Sequence, residues 1–352
     1  MQDMRPDRIG CHRAASFRIT NTSINKTNNT ATEVDHAMDA ALFGWLAGSV
    51  GAAVSSAGAA VYGLTVKAQS PRLVPNERQP EVPFESVEWK SGEGTVRGWF
   101  VPHSQSGSGS SGLSPTVVVS HGWGSNRSRV LRYVHPLHRE GYSVLVYNVR
   151  SHGDSDSVKA PSGLLFRDDL QSALRYLEGR EDVDKQRIGV LGHSLGGFGA
   201  VLALDEGAPI RALVTDSMPV RFATMVEAEL RRRKLPAFPL AHIIPEIMVR
   251  RSRIPSALVK RANPAAILED NASGKRVPVM LVHSRGDSII PPAELNHVLA
   301  RVPDANHLFV DVDGHSASEQ DPAFWPAVTG FFKEYLSIRE EAVDKQGDYA
   351  SV

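Results

Sequence analysis

The chain has 352 residues, 41% of them hydrophobic and 22% charged, ordinary values for a globular protein with one large core or two modest ones. Lysine plus arginine equals aspartate plus glutamate at 39 each, so there is no broad positive field to hold nucleic acid, and no nucleic-acid partner is expected. The single cysteine, Cys11, excludes an internal disulfide and a cysteine-built zinc site; the histidines show no metal-ligand spacing, so neither a metal nor any other cofactor is required.

Residues 1–38 are polar, with the Asn/Thr-rich run Thr20–Thr30, and read as a disordered N-terminal segment. Between Asp39 and Lys67 lie 27 residues without a charge. As a helix they extend roughly 40 Å, ample for a hydrocarbon core of about 30 Å. Residues 39–67 therefore read first as a transmembrane or signal-anchor helix, with membrane association through 40–66. A long signal peptide and a soluble helix are the alternatives, which leave the protein secreted or cytoplasmic. The apolar run exceeds the ~7–15 residue core of a signal peptide. Lys67, Arg72 and Arg78 follow the segment while Glu33, Asp35 and Asp39 precede it, so the positive-inside tendency places the C-terminal part in the cytoplasm.

From about 82 to 338 short β-rich runs alternate with helical ones. Strands are expected at Ser86–Trp89, Gly98–Val101, Thr116–Ser120, Ser143–Tyr147, Ile188–Leu191, Ala212–Thr215, Val279–His283 and His307–Val310. The first two alternate in polarity and suit an antiparallel edge; the later ones are compact apolar runs, as in parallel strands covered on both faces. Helical stretches include Phe166–Leu177 and Pro292–Ala300. The order predicts one α/β domain, a mostly parallel central sheet with helices on both faces. The Gly/Ser tract Ser104–Ser114 reads as a loop, and residues 339–352 as a flexible tail. Residues 217–262 interrupt the pattern with mixed basic and apolar side chains, among them Met218, Phe222, Met225, Phe238, Ile243, Ile244, Ile247 and Met248. They read as a small helical cap whose apolar residues either dock it or line a substrate path. The run Arg231–Lys234 reads as a solvated face.

The chemistry centres on Gly192-His193-Ser194-Leu195-Gly196, a Gly-x-Ser-x-Gly placed between an apolar strand and the helical run Phe198–Leu204. A serine in such a turn is held above the sheet edge, and the glycines two residues away on either side avoid a backbone collision. The hydroxyl is a weak nucleophile until a base takes its proton. Acid and base are expected downstream in that order. Asp287 follows the strand Val279–His283, and His315 follows the last strand, so Ser194, Asp287 and His315 meet at the strands' C-terminal ends. Asp216, at the end of Ala212–Thr215, is a rival acid. Asp313 shapes the turn before His315, and His283 is a core residue. The backbone amides of Leu195, at a helix start, and Trp123, in the glycine-flanked loop after Thr116–Ser120, are the expected oxyanion donors. The Trp123 side chain is a candidate wall of the acyl pocket.

Residues 82–336 resemble the α/β-hydrolase superfamily, in its serine aminopeptidase-like and acyl-esterase-like branch. The pieces that carry the resemblance are His121-Gly122-Trp123-Gly124, Arg150-Ser151-His152-Gly153-Asp154-Ser155, Gly192–Gly197, Gly286-Asp287 with Pro291, and Gly314-His315. The resemblance implies the nucleophile, acid, base and oxyanion roles given above, and a structural role for Arg150–Ser155. One departure is Ser284, where many relatives carry glycine after the seventh-strand histidine. The expected activity is hydrolysis of a small-molecule carboxylic ester through an acyl-enzyme. A peptidase or aminopeptidase on small peptides, an acyltransferase using the same three residues, and a non-catalytic membrane-associated binding module are the alternatives.

Overall fold

The computed structural model describes residues 27–103, 113–274 and 276–337. The expected tail at 339–352, residues 1–26 and most of the Ser104–Ser114 tract lie outside the described residues. The chain divides into two compact units, one ending at Ala60 and one running from Val61 onward.

The first unit is helical over its described part. Helix α1 spans Thr27–Ala68, so it begins before the 38/39 boundary expected from composition. Residues such as Ala31, Glu33 and Val34 join it because extending an existing helix is far easier than nucleating one. Within it, Ala41–Ala68 is long and apolar enough to cross a membrane, at a mean hydropathy of 1.3.

The second unit is built on one eight-stranded sheet. The strands are β1 (Glu85–Ser91), β2 (Gly94–Val101), β3 (Thr116–Ser120), β4 (Ser143–Asn148), β5 (Ile188–His193), β6 (Ala212–Asp216), β7 (Val279–Gly286) and β8 (Asn306–Asp313). They lie in the order β1-β2-β4-β3-β5-β6-β7-β8. Pairings β1–β2 and β2–β4 are antiparallel, and every other pairing is parallel. The central strands β3, β4, β5 and β6 are buried along their whole length, which is why they read as unbroken apolar runs.

Between strands lie α2 (Leu131–Arg139), α3 (Leu164–Glu178), α4 (Leu195–Asp205), α5 (Phe222–Arg232), α6 (Leu240–Arg251), α7 (Ser256–Arg261), α8 (Pro264–Ser273), α9 (Ala293–Leu299) and α10 (Phe324–Leu336). Two cores result. Val118 of β3 packs with Phe166 and Leu170 of α3, Ala200 and Val201 of α4, and Leu295 of α9. Its strand neighbours Val117 and Val119 point the other way, into Val134 and Leu137 of α2 and Val328 and Phe332 of α10. Helices therefore cover both faces, as alternating β and α segments require. Helices α5, α6 and α7 fill the stretch between β6 and α8 that was expected to be a cap. Leu230, Ala241 and Ile244 form its own small apolar cluster, and Met218 belongs to the main core.

One buried ion pair ties the sheet edge to the loop after β4. Asp169 of α3, fully buried, accepts hydrogen bonds from Ser91 Oγ (2.6 Å), Arg150 Nε (2.7 Å) and the Arg150 amide (2.7 Å). Truncating it leaves a buried guanidinium without its counter-charge. Asp169→Ala is expected to destabilise the fold by about 3–5 kcal/mol in urea unfolding, and a loss below ~1 kcal/mol contradicts that assignment.

Candidate active site

Ser194 occupies the turn between β5 and α4 with φ 54° and ψ −122°, a conformation that L residues rarely adopt. Its amide donates to the Asp216 carbonyl (2.8 Å) and its carbonyl accepts from the Phe198 amide (3.1 Å), so the strand on one side and the helix on the other hold the turn. A Cβ at Gly192 would fall 2.5 Å from the Gly197 nitrogen, and one at Gly196 would fall 2.3 Å from the Ser120 carbonyl oxygen. Both positions are closed to any side chain. Gly122 approaches just as closely: a Cβ there would lie 2.8 Å from Ser194 Cβ and 3.3 Å from its Oγ. The end of β3 is thereby placed against the serine hydroxyl.

His315 follows β8, and its Nδ1 lies 2.7 Å from Asp287 Oδ2. Asp287 is ionised there, so Nδ1–H donates and Nε2 is left as the basic nitrogen. The other Asp287 oxygen accepts from the Ile289 and Ile290 amides, both at 2.9 Å. Burial pushes this carboxyl up, but the hydrogen bond and charge of His315 and the two amides outweigh it and hold it below the ordinary carboxylate range. Ser284 explains its own departure from the family pattern. Its hydroxyl donates to the Val312 carbonyl of β8 and accepts from the Gly286 amide (3.2 Å), at a register shift between β7 and β8 that precedes Asp287. Asp313 crowds Gly286, 2.5 Å from where a Cβ would stand, and shapes the turn. His283 is buried and its Nε2 donates to the Ile290 carbonyl (2.9 Å).

The rival acid, Asp216, faces a different histidine. His193 Nδ1 lies 3.3 Å from Asp216 Oδ2, which also accepts from Tyr133 Oη at 2.5 Å. His193 Nε2 lies 3.1 Å from Ser316 Oγ, and the His193 and His315 rings are 4.9 Å apart. Two Asp–His pairs thus stand side by side, Asp287 with His315 and Asp216 with His193. The second pair links the residue before Ser194 to the residue after His315. Sequence reasoning missed this brace; the only signal was a strand-end aspartate beside a histidine within the serine motif. It also missed Glu294 of α9, whose buried carboxylate accepts from the Val220 and Arg221 amides and the Arg221 guanidinium, fixing the start of the inserted helices.

The expected oxyanion donors each follow a residue of the close approach: Leu195 comes after Ser194, and Trp123 after Gly122. Leu195 is the first residue of α4, where an amide has no intrahelical acceptor. Trp123 follows Gly122, and its ring packs against His152 (5.3 Å) and Phe166 (6.4 Å) on the main core. His121 orients this loop. Its Nε2 accepts from the Val149 amide (3.0 Å), so the proton sits on Nδ1 and donates to the Gly122 carbonyl (2.7 Å). That carbonyl and the Trp123 N–H share one trans peptide plane and point in opposite directions, so His121 sets where the N–H aims. The Arg150–Ser155 loop is held by structural bonds: Asp154 pairs with Arg127 at 2.8 Å through both oxygens, and Ser155 Oγ donates to the Asn148 carbonyl (2.6 Å). Among the described residues no group of three or more His, Cys, Asp or Glu is arranged to hold a metal ion.

A parallel sheet whose fifth strand ends in a strained serine, with an Asp–His pair at the ends of its last two strands, is the architecture of an α/β-hydrolase. Comparison with known proteins agrees. Residues 113–264 match the family model described as serine aminopeptidase, S33, and residues 255–336 match the one described as TAP-like protein. An uncharacterized protein of Escherichia coli O157:H7, YfhR, is 27% identical over 250 residues, covering 66% of this chain and 76% of the relative. The Pyrococcus furiosus esterase Pf2001 superposes with a TM-score of 0.60 at 21% identity, over 76% of this chain and 97% of the esterase. A Pyrococcus horikoshii acylaminoacyl peptidase superposes at 0.56 and 17% identity, over 74% of this chain and 43% of the peptidase. The fold is that of the α/β-hydrolases, and the two hydrolase family models together span residues 113–336 of the chain.

Three histidines at this end of the sheet, His121, His152 and His193, are buried, and each resists protonation. Burial pushes His121 down to about 3, and His152 and His193 down to about 4. An unfolded histidine titrates near ~6.5, so between that pH and about 4 the unfolded chain binds protons that the folded one refuses. Stability is therefore full above ~6.5 and falls as the solution is acidified. The loss is about 2 kcal/mol per histidine by pH 5. Thermal melts are expected to show a markedly lower midpoint at pH 5 than at pH 7, and an unchanged midpoint contradicts this placement of the protons.

Proposed function

We propose that the protein is a serine hydrolase of carboxylic esters, with Ser194 as nucleophile, His315 as general base and acid, and Asp287 as the group that orients it. The observation that carries the reading is the 2.7 Å Asp287–His315 bond at the same sheet edge as a serine held in a strained turn. Ser194 Oγ attacks the ester carbonyl carbon while its proton passes to His315 Nε2. The Asp287 carboxylate stabilises the imidazolium so formed. The oxyanion is received by the Leu195 and Trp123 amides, each worth roughly 3 kcal/mol in comparable sites. His315 then protonates the departing alcohol oxygen, the C–O bond breaks, and Ser194 is left acylated. Water, deprotonated by His315, attacks the acyl carbon and releases the acid and the free serine.

An ester is favoured over a peptide with a free amino terminus by the carboxylates of the inserted helices. Glu227 and Glu229, the acidic residues at their start, are paired with Arg231 (3.0 Å) and Arg233 (2.5 Å), which neutralises them as a clamp for an ammonium group. We also read α1 as a membrane anchor: residues Ala41–Ala60 alone rise about 30 Å as a helix, the thickness of a hydrocarbon core.

A fluorophosphonate probe is expected to label the wild-type protein, to fail on Ser194→Ala, and to react at least about 100-fold more slowly with His315→Ala. Asp287→Asn is expected to fall between wild type and His315→Ala. An unlabelled but folded wild-type protein, or labelling that survives Ser194→Ala, overturns the assignment.

A further inference from the structure

We propose that the α5–α6 turn is a second membrane contact, a cationic and apolar tip that docks on an anionic lipid surface beside the point where α1 enters it. The proposal rests on reading α1 as a membrane anchor.

Charge is distributed very unevenly. The chain as a whole is neutral, yet residues 217–262 carry ten basic side chains against three acidic ones. Arg231, Arg233, Lys234, Arg250, Arg253, Lys260 and Arg261 are exposed. Arg231, Arg233 and Arg250 are paired with Glu227, Glu229 and Glu246, and Arg221 and Arg261 with Glu294 and Asp205 outside this stretch, which still leaves the basic side chains of residues 217–262 in excess. Exposed apolar residues follow the same pattern. Among the described residues from Val61 onward, the exposed large ones are Tyr62, Leu73, Phe222, Phe238, Ile243, Val259 and Ile289. Four of them, Phe222, Phe238, Ile243 and Val259, lie in the inserted stretch, and Tyr62 in the last turns of α1. Phe238, in the α5–α6 turn itself, is 79% exposed. At the turn itself Arg231, Arg233 and Lys234 are exposed beside Phe238, whereas Arg250 and Arg253 lie at the far end of α6. Cationic and aromatic side chains together on one exposed tip suit the headgroup region of an anionic bilayer, where each element meets its preferred depth.

The end of α1 sets where that tip sits. Val61 packs against the cluster of Leu230, Ala241 and Ile244, together with Leu235 and Leu240 that flank the α5–α6 turn. Two turns further along, Gln69 Nε2 donates to the Met248 carbonyl (3.1 Å) and Ser252 Oγ (2.9 Å) at the far end of α6. Arg251 bonds both levels, through Nε to Gln69 Oε1 (2.8 Å) and through a terminal nitrogen to Tyr62 Oη (2.9 Å). The last turns of α1 and helix α6 therefore run side by side in the same direction. The α5–α6 turn lies at the Val61 level, the end from which the chain continues back into the apolar helix. Where Ala41–Ala60 crosses a bilayer, the chain leaves it as Ala60 passes to Val61, the residue that packs beside the turn. The basic excess also agrees with the cytoplasmic leaflet, the anionic one, to which the charges flanking α1 assign this part of the chain.

The test uses the full chain with Cys11→Ser, reconstituted into phosphatidylcholine vesicles with or without about 30% phosphatidylglycerol and with a lipid-borne nitroxide quencher. A bimane label is placed at Pro236→Cys in the turn, at Lys333→Cys on α10 as a distant reference, or at Gly51→Cys within α1. The expected result is strong quenching at 51 in both vesicles. At 236, quenching rises by about twofold or more with phosphatidylglycerol, and at 333 it stays low. Adding Arg231→Gln, Lys234→Gln and Phe238→Ala is expected to abolish the rise at 236 while probe labelling of Ser194 persists, which shows that the protein remains folded. Quenching at 51 without any rise at 236 overturns the docking surface and leaves the anchor standing. Absence of quenching at both positions overturns the anchor and the docking surface together.

Discussion

The site depends on a steric constraint at one residue. Ser194 is held with a positive φ between β5 and α4, in a conformation that costs of the order of 1–3 kcal/mol and persists only where the surroundings enforce it. Enforcement here is backbone against backbone. Gly192 and Gly196 let β5, α4 and the end of β3 approach to distances that leave no room for a Cβ, and Gly122 closes in from the third side. The same approach that strains the serine sets Gly122, the residue before Trp123, against it. The strain at Ser194 and the closeness of the β3 end are two consequences of one packing arrangement.

Around that turn the charges are sorted rather than merely buried. Asp287 and Asp216 are both held below the ordinary carboxylate range despite burial, each by its histidine and by further donors. Their histidines differ in what else they touch. His193 is enclosed, with one nitrogen facing Asp216 and the other Ser316, and burial keeps it neutral. His315 is more open: its side chain is 14% exposed and its Nδ1 is bonded to Asp287. The enclosed pair braces the open one: Ser194 is joined by its chain to His193, and His193 is bonded to the residue that follows His315.

Much of this was legible in the sequence because the sheet is buried on both faces. All eight strands appear as short apolar or alternating runs, and the observed strands extend those runs by a few residues at most. The positions of Ser194, Asp287 and His315 at strand ends followed from motif and chain order alone. Partner choice did not. Nothing in one dimension says that Asp216 pairs with His193, because that contact depends on β5 and β6 being neighbours in register. Ser284 was a departure from pattern until the register shift against β8 gave its hydroxyl two partners. The apolar residues of residues 217–262 were expected either to dock or to line the site; Phe238 and Ile243 instead face outward, because α6 turns Ala241 and Ile244 inward.

The most direct test of the central claim is to trap the covalent intermediate. The purified full chain is mixed with an activated short-chain ester, quenched in acid within the first turnovers, and analysed by peptide mass spectrometry. Acylation of the hydroxyl of Ser194, appearing as a burst before steady-state release of acid and absent from Ser194→Ala, is the predicted result. Turnover with no acyl group on Ser194, or acylation of another residue that persists in Ser194→Ala, would contradict the account.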